Sequence, residues 1–176
     1  MTSDEQLMMD FQGGSTQAFE ELFERYRNSI YGFFRRRLNN SARAEELAQE
    51  TFLIILRGVE KYEAQAKFRT YVYAIAMKQL WSERRKELRA AKFAATPQET
   101  RLESDPSTAL WLRDALSQLD VDHREVLMLR EYEQLSYDEI ADVLAVPINT
   151  VRSRLSRARG ELKALLEAQS ARGVSR

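Results

Sequence analysis

Apolar residues along the chain recur at spacings of three and four, and this periodicity predicts helices almost throughout. After a break at Gly13-Gly14-Ser15, the apolar face of a long helix runs from Phe19 to Leu38. A second helix is predicted from about Ala42 to Arg57, and a third begins near Phe68. No alternation of apolar and polar residues indicates a strand, so the predicted fold class is all-α.

The helical periodicity fails between Ala90 and Ser107, where Pro97 and Pro106 disfavour helix at the residues before them. Asp105 and Pro106 also have the form of a cap and first-turn proline for a following helix. We therefore predict two small helical domains joined by a flexible linker. The predicted boundaries are 1–92 for the first domain, 93–107 for the linker, 108–170 for the second domain and 171–176 for a short tail.

The most specific local pattern begins at Ser136, where Ser136-Tyr137-Asp138-Glu139 has the form of a capping box. A short apolar helix follows and is interrupted by Ala145-Val146-Pro147. A second helix then carries apolar residues at steps of three and four from Ile148 to Leu165. This order of elements predicts a helix-turn-helix.

The second helix of this motif has a small and basic exposed face. On a helical wheel of about 100° per residue, Ser153, Ser156 and Gly160 lie opposite the apolar stripe. Arginines flank this face on both sides, at positions 152, 154, 157 and 159. Small residues let a helix enter the major groove, and guanidinium groups reach phosphates or guanine edges. We interpret the helix as a duplex-DNA reader; the alternative is a solvated, arginine-rich amphipathic helix.

Charge is segregated along a chain that is neutral overall, with 27 basic and 27 acidic residues. Lys67 to Lys92 holds eight basic and two acidic residues, whereas Ser107 to Val146 holds nine acidic and three basic ones. Pro147 to Lys163 is basic again, with five cations and one carboxylate. Overall neutrality therefore does not argue against a nucleic-acid partner.

The basic stretch after Lys67 also contains aromatic residues. Tyr71, Tyr73 and Trp81 are interleaved with four cations, Arg69, Lys78, Arg84 and Arg85. Rings that stack on unpaired bases, beside cations that hold the backbone, are what a single-strand site needs. Aromatic residues at helical spacing equally suit a core, and the pattern alone leaves both interpretations open.

Composition excludes several kinds of chemistry. The chain has no Cys and one His, which excludes disulfides, thiolate metal ligands and a pair of His ligands. His123 has charged neighbours and is expected on a helix surface. No phosphate loop or nucleophile–base pair is present, so we expect no enzyme activity, no cofactor, no metal and no small-molecule substrate.

Targeting signals are not evident either. The N-terminus is acidic and does not resemble a signal peptide. The longest apolar run, Phe52 to Leu56, has five residues, whereas a membrane-spanning helix needs roughly 20. We therefore expect no membrane insertion and a cytoplasmic location.

Taken in order, these motifs resemble a known family. Ala18–Tyr26, Ala44–Phe52 and Phe68–Ala76 are similar to successive segments of the promoter-melting domain of bacterial extracytoplasmic-function (ECF) sigma factors, the two-domain members of the sigma-70 family. Leu135–Ala141 and Thr150–Arg159 are similar to the helix-turn-helix domain of the same family. Ala145 stands where relatives commonly carry Gly. The resemblance covers nearly the whole chain.

The resemblance implies a sigma factor that binds core RNA polymerase and promoter DNA. It implies that the helix from Ala44 contacts core polymerase, and the expected contact residues are Glu45, Glu46, Leu47, Gln49, Glu50 and Phe52. A solvated acidic face is the alternative for this helix. The resemblance also implies control by an anti-sigma factor.

Two DNA sites follow from the same resemblance. The single-stranded minus-10 element would be captured by Lys67 to Arg85 with the preceding loop from Tyr62 to Ala66. The expected residues are Lys67, Phe68, Arg69, Tyr71, Tyr73, Lys78, Trp81, Arg84 and Arg85. The duplex minus-35 element would be read by the second helix of the helix-turn-helix, and the expected residues are Asn149, Thr150, Arg152, Ser153, Arg154, Ser156, Arg157 and Arg159.

Two other classes of protein compete with this interpretation. A helix-turn-helix regulator that is not a polymerase subunit explains Ser136 to Arg159 but gives Ala44 to Arg85 no role. A helical adaptor that binds only protein explains the amphipathic helices but leaves both basic stretches unexplained. Salt-dependent DNA binding would distinguish the adaptor from the other two.

Overall fold

The protein is described from a computed structural model, which defines residues 2–63, 67–93 and 110–173, with side chains to residue 168. Within these ranges every regular element is helical, which confirms the all-α fold class. The chain divides into two compact units, Met1–Glu103 and Ser104–Arg176. The α-helices are α1 (Asp4–Gln12), α2 (Thr16–Arg35), α3 (Ser41–Arg57), α4 (Phe68–Phe93), α5 (Leu110–Gln118), α6 (Val121–Glu131), α7 (Tyr137–Leu144) and α8 (Ile148–Gly173).

The core of the first unit is built around α2. Leu22, Ile30 and Phe33 of its apolar stripe are fully buried, and α2 packs against α1, α3 and α4. Phe33 and Phe34 meet edge to face with ring centroids 5.1 Å apart, and Phe33 also faces Tyr73 of α4 at 5.9 Å. Aromatic rings that pack edge to face stabilise a core beyond the area they bury.

Helix α1 was not predicted from the sequence. Ser3 caps it by accepting a hydrogen bond from the Gln6 amide at 3.1 Å, and the side chains of Leu7 and Met8 are buried. Asp4 accepts hydrogen bonds from Arg25 and from the Tyr26 hydroxyl, which ties α1 to α2. The pKa of Tyr26 lies far above its ordinary value, mainly because burial desolvates the phenol and also because the phenol is hydrogen-bonded to Asp4.

In the second unit, α5, α6 and α7 pack around α8. The predicted capping box at the start of α7 is present: Ser136 Oγ accepts from the Glu139 amide at 3.2 Å, and Glu139 accepts from the Ser136 amide at 2.7 Å. The turn between α7 and α8 contains Ala145 in the left-handed region, with φ of 54°. A helix-turn-helix therefore occupies the predicted residues.

The predicted linker, 93–107, lies outside the described residues except for its first residue. Phe93 is the last residue of α4, so this helix runs one residue into the predicted linker. The predicted cap at Asp105 and Pro106 also lies outside the described residues.

Candidate nucleic-acid and polymerase interfaces

The first turns of α8 present separate buried and exposed faces. Val151, Leu155 and Ala158 are at most 1% exposed and pack into the second unit. The opposite side carries exposed residues, namely Asn149, Arg152, Ser153, Ser156, Arg157, Arg159 and Gly160. Thr150 is half-buried between the two faces. The structure thus brings most of the predicted minus-35 residues onto one side of one helix.

Two of the predicted arginines are held by the neighbouring helix α6. Arg154 donates to Asp122, and Arg159 donates to Glu131 at 2.9 Å. The bond to Glu131 is the main reason that the pKa of Arg159 lies above its usual value. A helical wheel of α8 cannot reveal these partners, because Asp122 lies 32 residues before Arg154 and Glu131 lies 28 residues before Arg159.

His123 also joins α6 to α8. Its Nδ1 lies 2.9 Å from a carboxylate oxygen of Glu161, and the His123 side chain is 15% exposed. The imidazole is therefore largely covered beside α8, whereas the sequence predicted a solvated surface position.

The predicted minus-10 residues divide between the core and the surface of the first unit. Phe68 and Tyr73 are 0% and 3% exposed, and their rings pack against Tyr26 and Phe33 respectively. These two rings cannot stack on a base in this structure, and we correct that part of the prediction. Both apolar stripes of α4 are needed here because the helix packs against α1, α2 and α3.

The other members of this set lie at or near the surface. Lys67, Lys78 and Arg85 are exposed, whereas Arg69, Tyr71, Trp81 and Arg84 are half-buried. The ring of Tyr71 lies edge to face with Tyr62, with centroids 5.2 Å apart, and burial raises the pKa of Tyr71. One side of α4 therefore combines partly exposed rings with several cations.

Helix α3 has an exposed face that combines acidic and apolar residues. Glu45, Glu46, Gln49 and Glu50 are all exposed, which both a contact surface and a solvated acidic face require. Leu47 and Phe52 are 2% and 5% exposed, and their side chains belong mainly to the core. Each lines a surface groove beside α3: Leu47 the groove toward α4, and Phe52 the groove toward α2.

Sequence reasoning missed the apolar part of this face. Leu53, Ile54 and Leu56 are 43%, 42% and 37% exposed. The signal was the unbroken apolar run from Phe52 to Leu56, which contains more apolar residues than one buried face of a helix can hold. Exposed aliphatic residues beside polar ones are a common composition for a protein-binding surface.

Arg43 connects α3 to α4 through a bidentate ion pair. Its Nε and one terminal nitrogen donate to the two carboxylate oxygens of Glu83 at 2.7 and 2.8 Å. The other terminal nitrogen contacts Glu46 at 2.8 Å and Glu50 at 3.4 Å. The hydrogen bonds from Arg43 are the main reason that the pKa of Glu83 lies below its usual value.

Helix α1 contacts the chain on both sides of residues 64–66. Gln12 donates to the carbonyl oxygens of Val59 at 2.8 Å and Tyr62 at 2.9 Å. Glu5 accepts from the backbone N–H of Phe68 at 3.1 Å. Burial raises the pKa of Tyr62 to about 12, with further contributions from the nearby charges of Glu5 and Asp4.

The described part of the chain offers no group of three or more metal-ligating side chains. Among the described helices none is both long and apolar enough to cross a membrane.

Comparison with known proteins identifies the family. Residues 22–90 match the sigma-70 region 2 family, and residues 109–162 match the sigma-70 region 4 family. The RNA polymerase sigma factor CarQ of Myxococcus xanthus is 34% identical over 165 residues, which cover 90% of this chain and 95% of CarQ. The chain belongs to the sigma-70 family of RNA polymerase sigma factors.

Further relatives place this sigma factor in the ECF group. The ECF RNA polymerase sigma factor EcfG of Rhodopseudomonas palustris is 31% identical over 137 residues, covering 75% of this chain and 76% of that protein. The sigma factor RpoE of Bartonella quintana, solved in complex with the anti-sigma factor NepR, has a similar fold, with a TM-score of 0.72 at 23% identity over 86% of this chain and 98% of RpoE. The chain is thus an ECF sigma factor, which functions in transcription initiation, and sigma factors are not themselves enzymes.

Proposed function

We propose that this sigma factor divides promoter recognition and polymerase binding among three helices. The exposed face of α8 reads the duplex minus-35 element, α4 captures the single-stranded minus-10 element, and α3 binds core RNA polymerase. The three surfaces have different chemistry, as their tasks require.

For α8, the proposal is supported by the small exposed face. Ser153, Ser156 and Gly160 allow close approach to the floor of the major groove, and Arg152 and Arg157 extend from its flanks. Asn149 accepts a hydrogen bond from Arg152 at 3.1 Å, which orients that guanidinium at the start of the helix. Arg154 and Arg159 are held by carboxylates of α6, and we therefore assign the phosphate contacts mainly to Arg152 and Arg157.

For α4, the proposed minus-10 site contains fewer residues than the sequence predicted. Tyr71 and Trp81 are the rings that reach the surface, and Lys67, Lys78 and Arg85 are the exposed cations beside them. Extruding a base from a duplex costs a few kcal/mol, and stacking on an aromatic side chain returns about 1–3 kcal/mol per base. Binding of the melted strand therefore suffices, and no chemical catalysis by the protein is required.

The single observation that carries the polymerase assignment is the mixed face of α3. Four polar residues from Glu45 to Glu50 and the aliphatic residues Leu53 and Ile54 are exposed on the same helix. A regulator that only bound DNA would gain nothing from exposing these aliphatic side chains. The same face is a target for a competing protein, and we propose that an anti-sigma factor controls this chain in the cytoplasm, as NepR is bound to RpoE of Bartonella quintana.

Run-off transcription tests the proposed function. Core RNA polymerase is incubated with sheared genomic DNA, with and without the purified protein. We expect new discrete transcripts that disappear when Glu46→Ala and Glu50→Ala are combined. The matched control combines Glu20→Ala and Glu24→Ala, which removes the same charge from exposed positions of α2 and should leave the transcripts in place.

The result that contradicts the proposal is equally specific. If the protein shifts duplex DNA but neither binds core polymerase nor starts transcripts, the proposed division among three helices fails. If both double variants lose the transcripts equally, the polymerase surface is not on α3.

A further inference from the structure

Helix α1 packs against both the turn that precedes α4 and α4 itself. The turn is a short 3-10 helix, Val59–Lys61, followed by Tyr62. Gln12 uses its side-chain amide to donate to two carbonyl oxygens of this turn, those of Val59 and Tyr62. Because both carbonyls are held by one side-chain nitrogen, the position of the turn relative to α1 is fixed at two points.

On the other side of residues 64–66, the start of α4 is held by the same helix. The backbone N–H of Phe68 is one of the amides at a helix start that find no partner within their own helix. It donates to Glu5 Oε1 at 3.1 Å. Glu5 and Gln12 therefore hold two chain segments that lie 47 to 63 residues away from them in sequence.

Both of the chain segments that α1 holds contain a residue whose ring packs near Tyr71, one of the rings proposed to bind the melted strand. Tyr62 packs edge to face on Tyr71 with ring centroids 5.2 Å apart. The Tyr71 hydroxyl lies close to Gly58, 3.7 Å from where a side-chain carbon would stand at that glycine. Tyr71 also follows Phe68 by one turn of α4, and the rings of these two residues are 6.4 Å apart.

We propose that Glu5 and Gln12 are positioning residues for capture of the minus-10 strand. They hold the turn at Val59 and Tyr62 and the first residue of α4, and thereby fix the ring of Tyr71 and the cation Lys67 before DNA arrives. A binding surface that is fixed in advance loses less conformational freedom on binding. This inference rests on the proposed function of α4 and adds to it a role for the N-terminal helix.

Substitutions that remove the charge of Glu5 distinguish a positioning role from a purely electrostatic one, because the two roles predict different changes in DNA affinity. Glu5 is a negative charge close to a surface proposed to bind a polyanion. If Glu5 acted only through its charge, then Glu5→Ala and Glu5→Gln would both tighten DNA binding. If Glu5 holds the Phe68 amide, Glu5→Ala weakens binding, whereas Glu5→Gln keeps a carbonyl acceptor of the same length and stays near the original affinity.

The test uses holoenzyme and a fork-junction DNA taken from a promoter found by run-off transcription, with the non-template strand unpaired over the minus-10 element. We expect Glu5→Ala to weaken fork binding about fivefold and Glu5→Gln to change it by less than about twofold. Gln12→Glu replaces a donor by an acceptor that faces two carbonyl oxygens, and should weaken fork binding about tenfold. Its control is Gln17→Glu, the same change of charge at an exposed position of α2.

Two companion measurements complete the design, namely affinity for core polymerase and affinity for a duplex minus-35 fragment. Neither should change in any of the four variants. Equal fork affinities for Glu5→Ala and Glu5→Gln, or for Gln12→Glu and Gln17→Glu, would overturn the inference. Parallel loss of core and fork binding would overturn it too, because it indicates general unfolding. If the unsubstituted holoenzyme does not prefer the fork to duplex DNA, the proposed function of α4 itself fails.

Discussion

The two helices proposed to contact DNA differ in how much of their surface is buried against the rest of the protein. Of the twelve residues from Asn149 to Gly160 in α8, seven are exposed. Of the thirteen residues from Phe68 to Leu80 in α4, only Lys78 is exposed. A helix packed along one stripe reveals its outer face in its periodicity, whereas a helix packed on several sides does not.

The same difference separates two modes of binding. The segment Asn149–Gly160 of α8 has an exposed face along one side of the helix, which insertion into a duplex groove would require. The first half of α4 offers the edges of rings that are partly held by neighbouring rings, as Tyr71 is by Tyr62. Four pairs of substitutions test this comparison, and they are given in order of decreasing expected effect.

The largest effect is expected where α4 belongs to the core. Tyr73→Ala removes a ring that is 3% exposed and packs against Phe33, and should lower the free energy of unfolding by about 3–5 kcal/mol. Tyr71→Ala, two residues earlier, should cost less than about half as much because its ring is only half-buried. Urea unfolding of both variants measures the difference. Equal losses would mean that Tyr71 is as much a core residue as Tyr73.

The next largest effect is expected for Trp81, on the surface of α4. Trp81→Ala should weaken holoenzyme binding to fork-junction DNA by about 1–3 kcal/mol, which is the stacking contribution of one base. Binding to a duplex minus-35 fragment should not change. Leu88→Ala is the control, since Leu88 lies on the same helix and is 65% exposed. A loss of the same size for Leu88→Ala would show that the site is not specific to the aromatic ring.

A smaller effect separates the arginines of α8. Arg157→Ala should reduce the slope of log affinity against log salt for minus-35 DNA by about one, as expected for one lost phosphate contact. Arg159→Ala should change the slope less, because Glu131 already holds that guanidinium. Affinity measured at several salt concentrations provides both slopes. The order of the two arginines would be wrong if Arg159→Ala had the larger effect.

The smallest effect concerns the turn that orients α8. Ala145 adopts φ of 54°, a conformation that costs a residue with a side chain about 1–2 kcal/mol. Ala145→Gly relieves this strain, and the greater freedom of glycine in the unfolded chain offsets part of the gain. The net result should be a stabilisation of about 0.5 kcal/mol, seen as a higher melting temperature. Ala141→Gly, inside α7, should instead destabilise by about 1 kcal/mol.

Patterns contained within one element were predictable from the sequence. The capping box at Ser136 and the apolar face of α2 depend on residues three or four apart, and both are present in the structure. The exposed face of α8 followed from the same short spacing. Local hydrogen bonds and one-sided packing leave a direct trace in the order of residues.

Features that depend on distant partners were not predictable. Helix α1 is short, and the contacts made by Asp4, Glu5 and Gln12 join it to residues 21 to 63 positions away. Its signals were modest: Ser3 as a cap, acidic residues in the first turn and the apolar pair Leu7 and Met8. The burial of Phe68 and Tyr73, and the carboxylate partners of Arg154 and Arg159, likewise depend on how helices pack.

The bidentate ion pair between Arg43 and Glu83 constrains the evolution of this sequence. Lys cannot reproduce the paired bonds to Glu83, and loss of Arg43 would leave a carboxylate that is 12% exposed with only the more distant ammonium of Lys86, at 3.7 Å, as its counter-charge. Substitutions at positions 43 and 83 are therefore expected to be inherited as a pair. Because the same guanidinium also holds Glu46 and Glu50, a lineage that altered α4 near Glu83 would in the same step alter α3, the helix proposed to bind polymerase.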